Sequence, residues 1–351
     1  MLSWLRSRLL PQAGAASAER PGGAQSEPPA PPDFIAATGV PDFPLADHLV
    51  DVDGVPVPDW SAAVAWVRGV EAAAQGEAWT TIERAWLQHV RQALGPGFHL
   101  REGRQAFVLS SLAPGLATLA LDFMERALKR VLHLLHGIAQ PAEWGKDILI
   151  VFDDVDGYYR YIGQFYPEGG EFAGSAGMYV NAGCGHFVTV KSDLNAIEPT
   201  IVHELTHGCL EHLPLPAWLN EGLAVNIENR LSQGGPPLYS ARELRAMHRA
   251  FWGEAEVQEF WSGRSFLRPD DGNLLSYDLA QLLVEQFSGD WDAFRAFVLA
   301  ARLDDAGAAA ATQHLGIDLG VALAAVLDRP WTPAAEPQPA SWGQAPEAGR
   351  F

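Results

Sequence analysis

A chain of 351 residues with 43 acidic against 24 basic side chains carries a formal net charge of −19, which excludes the basic footprint that nucleic acid or an anionic membrane requires. Hydrophobic residues make up 48% of it, enough for a buried core and, at roughly 100–200 residues per domain, for about two domains. The only two cysteines, Cys184 and Cys209, exclude a disulfide framework, match no zinc ribbon or finger spacing and read as buried thiols.

No apolar run reaches the roughly 18–20 residues of a membrane span, so no transmembrane segment is expected. Residues 1–17 lack the apolar stretch of a secretory signal, which leaves cytoplasmic location as the default expectation. A short amphipathic anchor built on Leu2, Trp4, Leu5, Leu9 and Leu10 is the alternative reading of that terminus.

Residues 1–33, with Pro28-Pro29-Ala30-Pro31-Pro32 near their end, predict a disordered tail. A helical region is expected over 34–100. There Asp59 is a good N-cap for a helix carrying Trp60, Ala63, Trp66, Val67 and Val70, and Ile82, Trp86, Val90 and Leu94 repeat the spacing after Gly76. Over 101–230 the pattern alternates. Strands are expected at 105–110 and 147–152, joined by a long apolar helix that Pro114 opens and Gly137 closes, which resembles a βαβ unit. A helix over 155–165 leads through Gly169-Gly170 and Gly174 to two short strands, 177–181 and 186–191, joined by the turn Ala182-Gly183-Cys184-Gly185. A helix over 196–212 with Pro199 in its first turn, and another from Ala217 after Pro214 and Pro216, complete the region. Helices over 240–251, 277–287, 291–303 and 319–327 make 231–331 a helical subdomain, and 332–351 reads as a second disordered tail. The expected fold class is α+β, without internal repeats.

The chemistry concentrates in His203-Glu204-Leu205-Thr206-His207 and Trp218-Leu219-Asn220-Glu221-Gly222. On a helix, positions i and i+4 lie nearly above one another, so His203 and His207 can offer two imidazoles to one ion while Glu204 projects beside them as a base. Alone, this five-residue pattern is suggestive only. A catalytic zinc takes three protein ligands, two His and one Glu being a known set, and Glu221 lies 14 positions after His207 across a proline-broken turn. The alternative of a third histidine fails, because Leu213 stands where it would be needed and His212 is one residue off. The apolar flanks Ile201, Val202, Leu205 and Leu210 place the helix in a buried setting, where His and Glu need partners.

The combination of HELTH with PAWLNEGLA resembles the gluzincins, zinc peptidases whose third ligand is a Glu on the helix after HExxH. The tract Trp218-Leu219-Asn220-Glu221-Gly222-Leu223-Ala224 is similar to that helix in the zinc aminopeptidases, and the short spacing is closer to the small peptidase MA-like domains of bacteria. The similarity is specific over 201–228 and architectural over about 105–300. It implies a zincin-like fold: a small mixed sheet with an edge hairpin packed on the HExxH helix, then a mainly helical C-terminal part. It implies Zn2+ on His203, His207 and Glu221, and Glu204 as general base in the hydrolysis of a peptide or protein substrate. Tyr277 is the candidate for stabilising the developing oxyanion, a role for which gluzincins use a downstream Tyr or His. The chain departs from the aminopeptidases in lacking a clear Gly-Ala-Met-Glu-Asn strand; Phe172-Ala173-Gly174-Ser175-Ala176-Gly177-Met178 is only faintly similar, which puts amino-terminal trimming in doubt.

Other readings stay open. Glu228 is either a surface residue or an acceptor that orients a ligand imidazole, and Tyr277 is equally well placed for packing beside Leu279, Leu282, Leu283 and Phe287. Cys184 and His186 form a weak candidate for a second metal site. The competing functions are a noncatalytic metal- or peptide-binding pseudopeptidase, against which the intact Glu204 speaks, and a metallohydrolase of a non-peptide bond, since the ligand set activates water whatever the electrophile.

Overall fold

The computed structural model describes residues 30–52, 54–165, 177–191, 194–232 and 238–342. The N-terminal anchor candidate, the tails before residue 30 and after residue 342, and Gly169-Gly170, Gly174 and Gly234-Gly235-Pro236-Pro237 lie outside the described residues. The fold is mixed α and β, and no single helix among the described residues is long and apolar enough to cross a membrane. Two compact units form, one from the residues up to Asp122 together with Ala142–Ala196, the other from Phe123–Pro141 together with the chain from Ile197 onward.

The first unit opens with a hairpin of β1 (Leu49–Val52) and β2 (Val55–Pro58). Helix α1 (Trp60–Gly69) follows, capped as expected by the Asp59 side chain, which accepts from the backbone of Ser61 and Ala62. After α2 (Gln75–Leu94), the strands β3 (His99–Glu102), β4 (Ala106–Ser110), β5 (Asp147–Phe152), β6 (Gly177–Asn181) and β7 (Gly185–Val190) form a sheet in the order β3-β4-β5-β7-β6. Its centre, β4-β5-β7, is parallel, whereas β3 and β6 close the edges antiparallel. Continuous apolar runs in β4 and β5 suit central strands buried on both faces. Helix α3 (Pro114–Leu134) connects β4 to β5, and α4 (Val155–Gly163) follows β5. Trp60, Trp79, Trp86, Phe107, Ile150, Tyr158 and Tyr161 fill the core on one side of the sheet.

The β6–β7 turn is fixed from below by an indole. Gly183 has φ +95°, and a Cβ there would fall 2.4 Å from Cβ of Trp60, so both backbone sign and space require glycine. Next to it, the Tyr161 hydroxyl donates to Nε2 of buried His186 at 2.7 Å, while Nδ1 donates to the Cys184 carbonyl at 2.8 Å. Burial pushes His186 down to about 4, so it stays neutral. With both ring nitrogens engaged and the Cys184 thiol turned toward Glu83 at 3.8 Å, this pair does not converge as metal ligands.

The second unit contains the remainder of α3, then α5 (Leu194–Leu210) from Ile197 onward, α6 (Ala217–Leu231), α7 (Ala241–Phe251), α8 (Glu254–Trp261), a tight 3₁₀ turn (Arg264–Leu267), α9 (Asp271–Phe287), α10 (Trp291–Ala300), a short helical stretch (Ala308–Leu315) and α11 (Leu319–Val326). Helix α8 is not among the expected elements, and α10 stops at Ala300 rather than residue 303; three further differences from expectation bear on the site. Helix α5 begins at Leu194, so Pro199 falls in its second turn and removes one main-chain hydrogen bond there. Helix α9 starts at Asp271, capped by the Asp270 side chain, which places Tyr277 nearly two turns inside it. Residues 332–342, assigned to a tail by composition, instead pack as two 3₁₀ turns whose backbone is bonded to Gln258 and Trp261 and whose Trp342 is buried.

Glu83 on α2 is 2% exposed and accepts from the Lys146 backbone N–H at 3.0 Å. Burial pushes its carboxyl up to about 8. The folded protein therefore keeps a proton that the unfolded chain releases above its ordinary value of 4.5. Stability falls as pH rises from there through about 8, by roughly 3–5 kcal/mol in total. Half-buried Asp147, which desolvation pushes up to about 7, adds to the same slope. Glu83→Gln is expected to flatten it, as read from urea unfolding between pH 5 and pH 8.5; an unchanged slope would place the proton elsewhere.

Candidate metal centre

All five residues singled out by the sequence lie in the second unit, on three helices. On α5, Ile201, Val202, Leu205, Thr206, Cys209 and Leu210 are buried, which turns His203 and His207 together onto the opposite face. Their ring centroids are 4.8 Å apart and their planes cross at 78°. After Pro214 and Pro216 break the chain, α6 starts with Pro216 as its cap residue. Its first turn is anchored by Trp218, which is fully buried and donates from Nε1 to the Ala306 carbonyl at 3.0 Å within a cage of Phe260, Trp261, Phe287 and Phe297. Anchoring Trp218 and Leu219 inward fixes the rotation of α6 and presents Asn220 and Glu221 to the histidines.

The three donor atoms converge. His203 Nε2 and His207 Nε2 are 3.1 Å apart, and Glu221 Oε2 lies 3.3 Å from the first and 3.4 Å from the second. A tetrahedral ion holding N and O ligands at about 2.0–2.1 Å separates them by about 3.3–3.4 Å, so the triangle fits one face of such a coordination sphere. Glu221 Oε2 is also fully buried and makes no hydrogen bond among the described residues, an orphaned acceptor that calls for a cation. This is the one group of three or more His, Cys, Asp or Glu among the described residues arranged to hold a metal ion.

The outer nitrogens are tied down. His203 Nδ1 lies 3.2 Å from Glu228 Oε2, and His207 Nδ1 lies 3.2 Å from Asn220 Oδ1. Both partners are acceptors, so each Nδ1 carries the proton and each Nε2 presents its lone pair to the shared centre. Of these two, Glu228 was open between surface and support, and the structure gives it the contact with His203. Asn220 escaped the sequence reading; its one signal is that it precedes the ligand-type glutamate in Asn-Glu-Gly.

Electrostatics follow the same geometry. Burial works against a charged His203, but Glu221 and Glu228 outweigh it and hold the imidazole well above the ordinary histidine range. His207 is raised despite burial by Glu221, and Glu221 is held well below the carboxylate range despite burial by His207 and His203. The donor set therefore attracts positive charge, and protons and a metal ion compete for it. Half-buried Glu204 acts on both histidines through its charge.

Tyr277 reaches the same centre from α9. Its ring centroid is 6.3 Å from that of His203 and it stands edge-on to Phe266 at 5.2 Å. Burial, then the charges of Glu221, Glu204 and Glu228, push the phenol well above its ordinary value, so it remains a hydrogen-bond donor. Helix α9 comes this close because Gly222 on α6 has no side chain: a Cβ there would lie 2.6 Å from the Ala280 carbonyl oxygen. Asn226 bridges the same crossing, donating to the carbonyls of Gly222 at 2.8 Å and Gln281 at 3.1 Å.

No protein-family model matches the chain, and no curated protein matches it. The site stands on its geometry.

Supports of this kind typically contribute about 10–100-fold to metal affinity. Asn220→Ala and Glu228→Ala are each expected to weaken the binding of an added divalent metal ion by about that factor, measured by competition with a chromophoric chelator. Full affinity in both variants would mean that the Nδ1 contacts do not orient the rings.

Proposed function

We propose that this protein is a zinc-dependent peptidase, a gluzincin-like hydrolase with a zincin-like order of elements: a mixed sheet, its final hairpin leading in sequence to the site helix, and a helical C-terminal part. The observation that carries the reading is the triangle of His203, His207 and Glu221 donors at 3.1–3.4 Å, with both Nδ1 atoms engaged by Asn220 and Glu228. Zinc held there would act as a Lewis acid on a peptide carbonyl and bring water toward ionisation near neutral pH.

The chain's own groups supply the proton traffic. Glu204, next in sequence to His203 and close enough to act on both imidazoles, accepts a proton from the attacking water as its oxygen bonds to the carbonyl carbon. It then delivers that proton to the leaving nitrogen as the C–N bond breaks, giving one carboxylic acid and one amine. Tyr277, kept protonated by its surroundings, donates a hydrogen bond to the oxygen that gains charge in between. Glu221 and the two histidines take no part in the proton transfer.

Glu204→Gln is expected to retain one zinc per chain and to lose cleavage of a diverse peptide mixture by about 10²–10⁴-fold. Metal analysis and chelator-sensitive mass-spectrometric cleavage assays, run side by side on the native chain and the variant, test this. Equal turnover by both would remove Glu204 from the mechanism, and a native chain that binds no zinc would remove the reading as a whole.

A further inference from the structure

We infer that residues 332–342 are a positioning strap for Tyr277, acting through the turn Arg264–Leu267; the catalytic side of this inference rests on the peptidase reading. The strap is held by a fully used amide. Gln258 Nε2 donates to the carbonyls of Ala334 at 3.0 Å and Glu336 at 2.8 Å, and its Oε1 accepts from the Gln338 backbone at 2.9 Å and from Trp342 Nε1 at 3.0 Å. Trp261 Nε1 adds a bond to the Ala335 carbonyl at 2.9 Å. Both donors and both acceptor positions of a Gln side chain are thus spent on one segment of backbone and its terminal indole, which pins that segment in a single register. Trp342 is 7% exposed and Ala335 is 2% exposed, so the clasp is sealed by burial.

From the strap, contact passes directly to the turn. Arg264 donates to the Trp342 carbonyl, and Arg264 is the first residue of that turn. Its second, Ser265, is fully buried with its hydroxyl 2.7 Å from that of Ser276, the residue before Tyr277. Its third, Phe266, presents the ring against which Tyr277 stands edge-on, and Asn273 on α9 donates to the Phe266 carbonyl. The turn is therefore bonded to the strap on one side and to α9 on the other. Trp342 and Phe266 are positioning residues: one through the Arg264 bond and the other through its ring, they limit where the Tyr277 ring can lie. A phenol that must meet a developing oxyanion within hydrogen-bond distance is sensitive to displacements of about 1 Å.

The test uses the full-length protein labelled with 3-fluorotyrosine, the resonance of position 277 being assigned with Tyr277→Phe. Trp342→Ala combined with Gln258→Ala releases the strap, which hydrogen exchange over 332–342 verifies. We expect the 277 resonance to shift, zinc content to stay at one per chain, and kcat to fall at least about tenfold with KM within about twofold. Gln258→Ala alone, which removes the side-chain bonds of the clasp and leaves the indole in place, covers the case in which the double variant does not fold: it is expected to shift the 277 resonance and lower kcat in the same direction, and a released strap with an unmoved resonance in this variant overturns the inference. A released strap with an unmoved 277 resonance overturns the inference, as does a lowered melting temperature with unchanged resonance and kcat. A shifted resonance in a protein without peptidase activity would support the strap while removing the peptidase reading.

Discussion

Three donor atoms on half-buried side chains, facing one another at 3.1–3.4 Å, are the constraint on which the rest of the second unit depends. Two imidazole lone pairs and a carboxylate oxygen repel when bare, and burying them without compensation costs several kcal/mol. A proton on one imidazole can serve one neighbour well, yet Glu221 Oε2 makes no hydrogen bond with either ring. A small dication at the centre satisfies all three donors at once, and the surrounding carboxylates Glu204 and Glu228 add to the negative field that favours it. The protein thus holds an electrostatic deficit among half-buried side chains, where binding an ion would also stabilise the fold.

Holding such a deficit requires rigid walls. The indole of Trp218, enclosed by four aromatic rings and bonded to Ala306, sets the rotation of α6, and the bare backbone of Gly222 sets how near α9 approaches. Asn226 then satisfies carbonyls on both helices, so the crossing is locked by hydrogen bonds as well as by contact. None of these groups meets the metal donors directly. Each fixes a degree of freedom, rotation or separation, that the donors themselves cannot control.

What was legible in the sequence follows from which forces are local. His203 and His207 could be paired because helical period is a property of five consecutive residues, and the strands Ala106–Ser110 and Asp147–Phe152 because a two-sided buried strand is apolar throughout. The hairpin Leu49–Pro58 escaped because Pro56 and Pro58 argue against a strand unless its edge is free. Strand β3, His-Leu-Arg-Glu, escaped because an exposed edge strand carries polar residues on both faces. Asn220 and Gly222 gain their meaning only from residues 13 positions before and 58 positions after them, His207 and Ala280, and no periodicity encodes that. Residues 332–342 look unfoldable by composition, and they are ordered because Gln258, more than 70 positions upstream, supplies the hydrogen bonds that Pro- and Ala-rich backbone cannot make with itself.

Tyr277 shows how one field can set two protonation states in opposite directions of usefulness. Glu221 and Glu204 make both imidazoles more basic, and Glu228 adds to the effect on His203, which would strengthen them as ligands once a metal displaced their protons. Burial and the same three carboxylates make the phenol of Tyr277 harder to ionise, which preserves it as a donor. A single excess of negative charge therefore prepares ligands that hold a cation and a neutral donor beside them that can meet an anion. On the proposed hydrolytic reading, an electrophile-activating metal and a stabiliser for developing negative charge would share one electrostatic environment, because a cation held by the carboxylates would itself reverse the local sign where a substrate oxygen would bind.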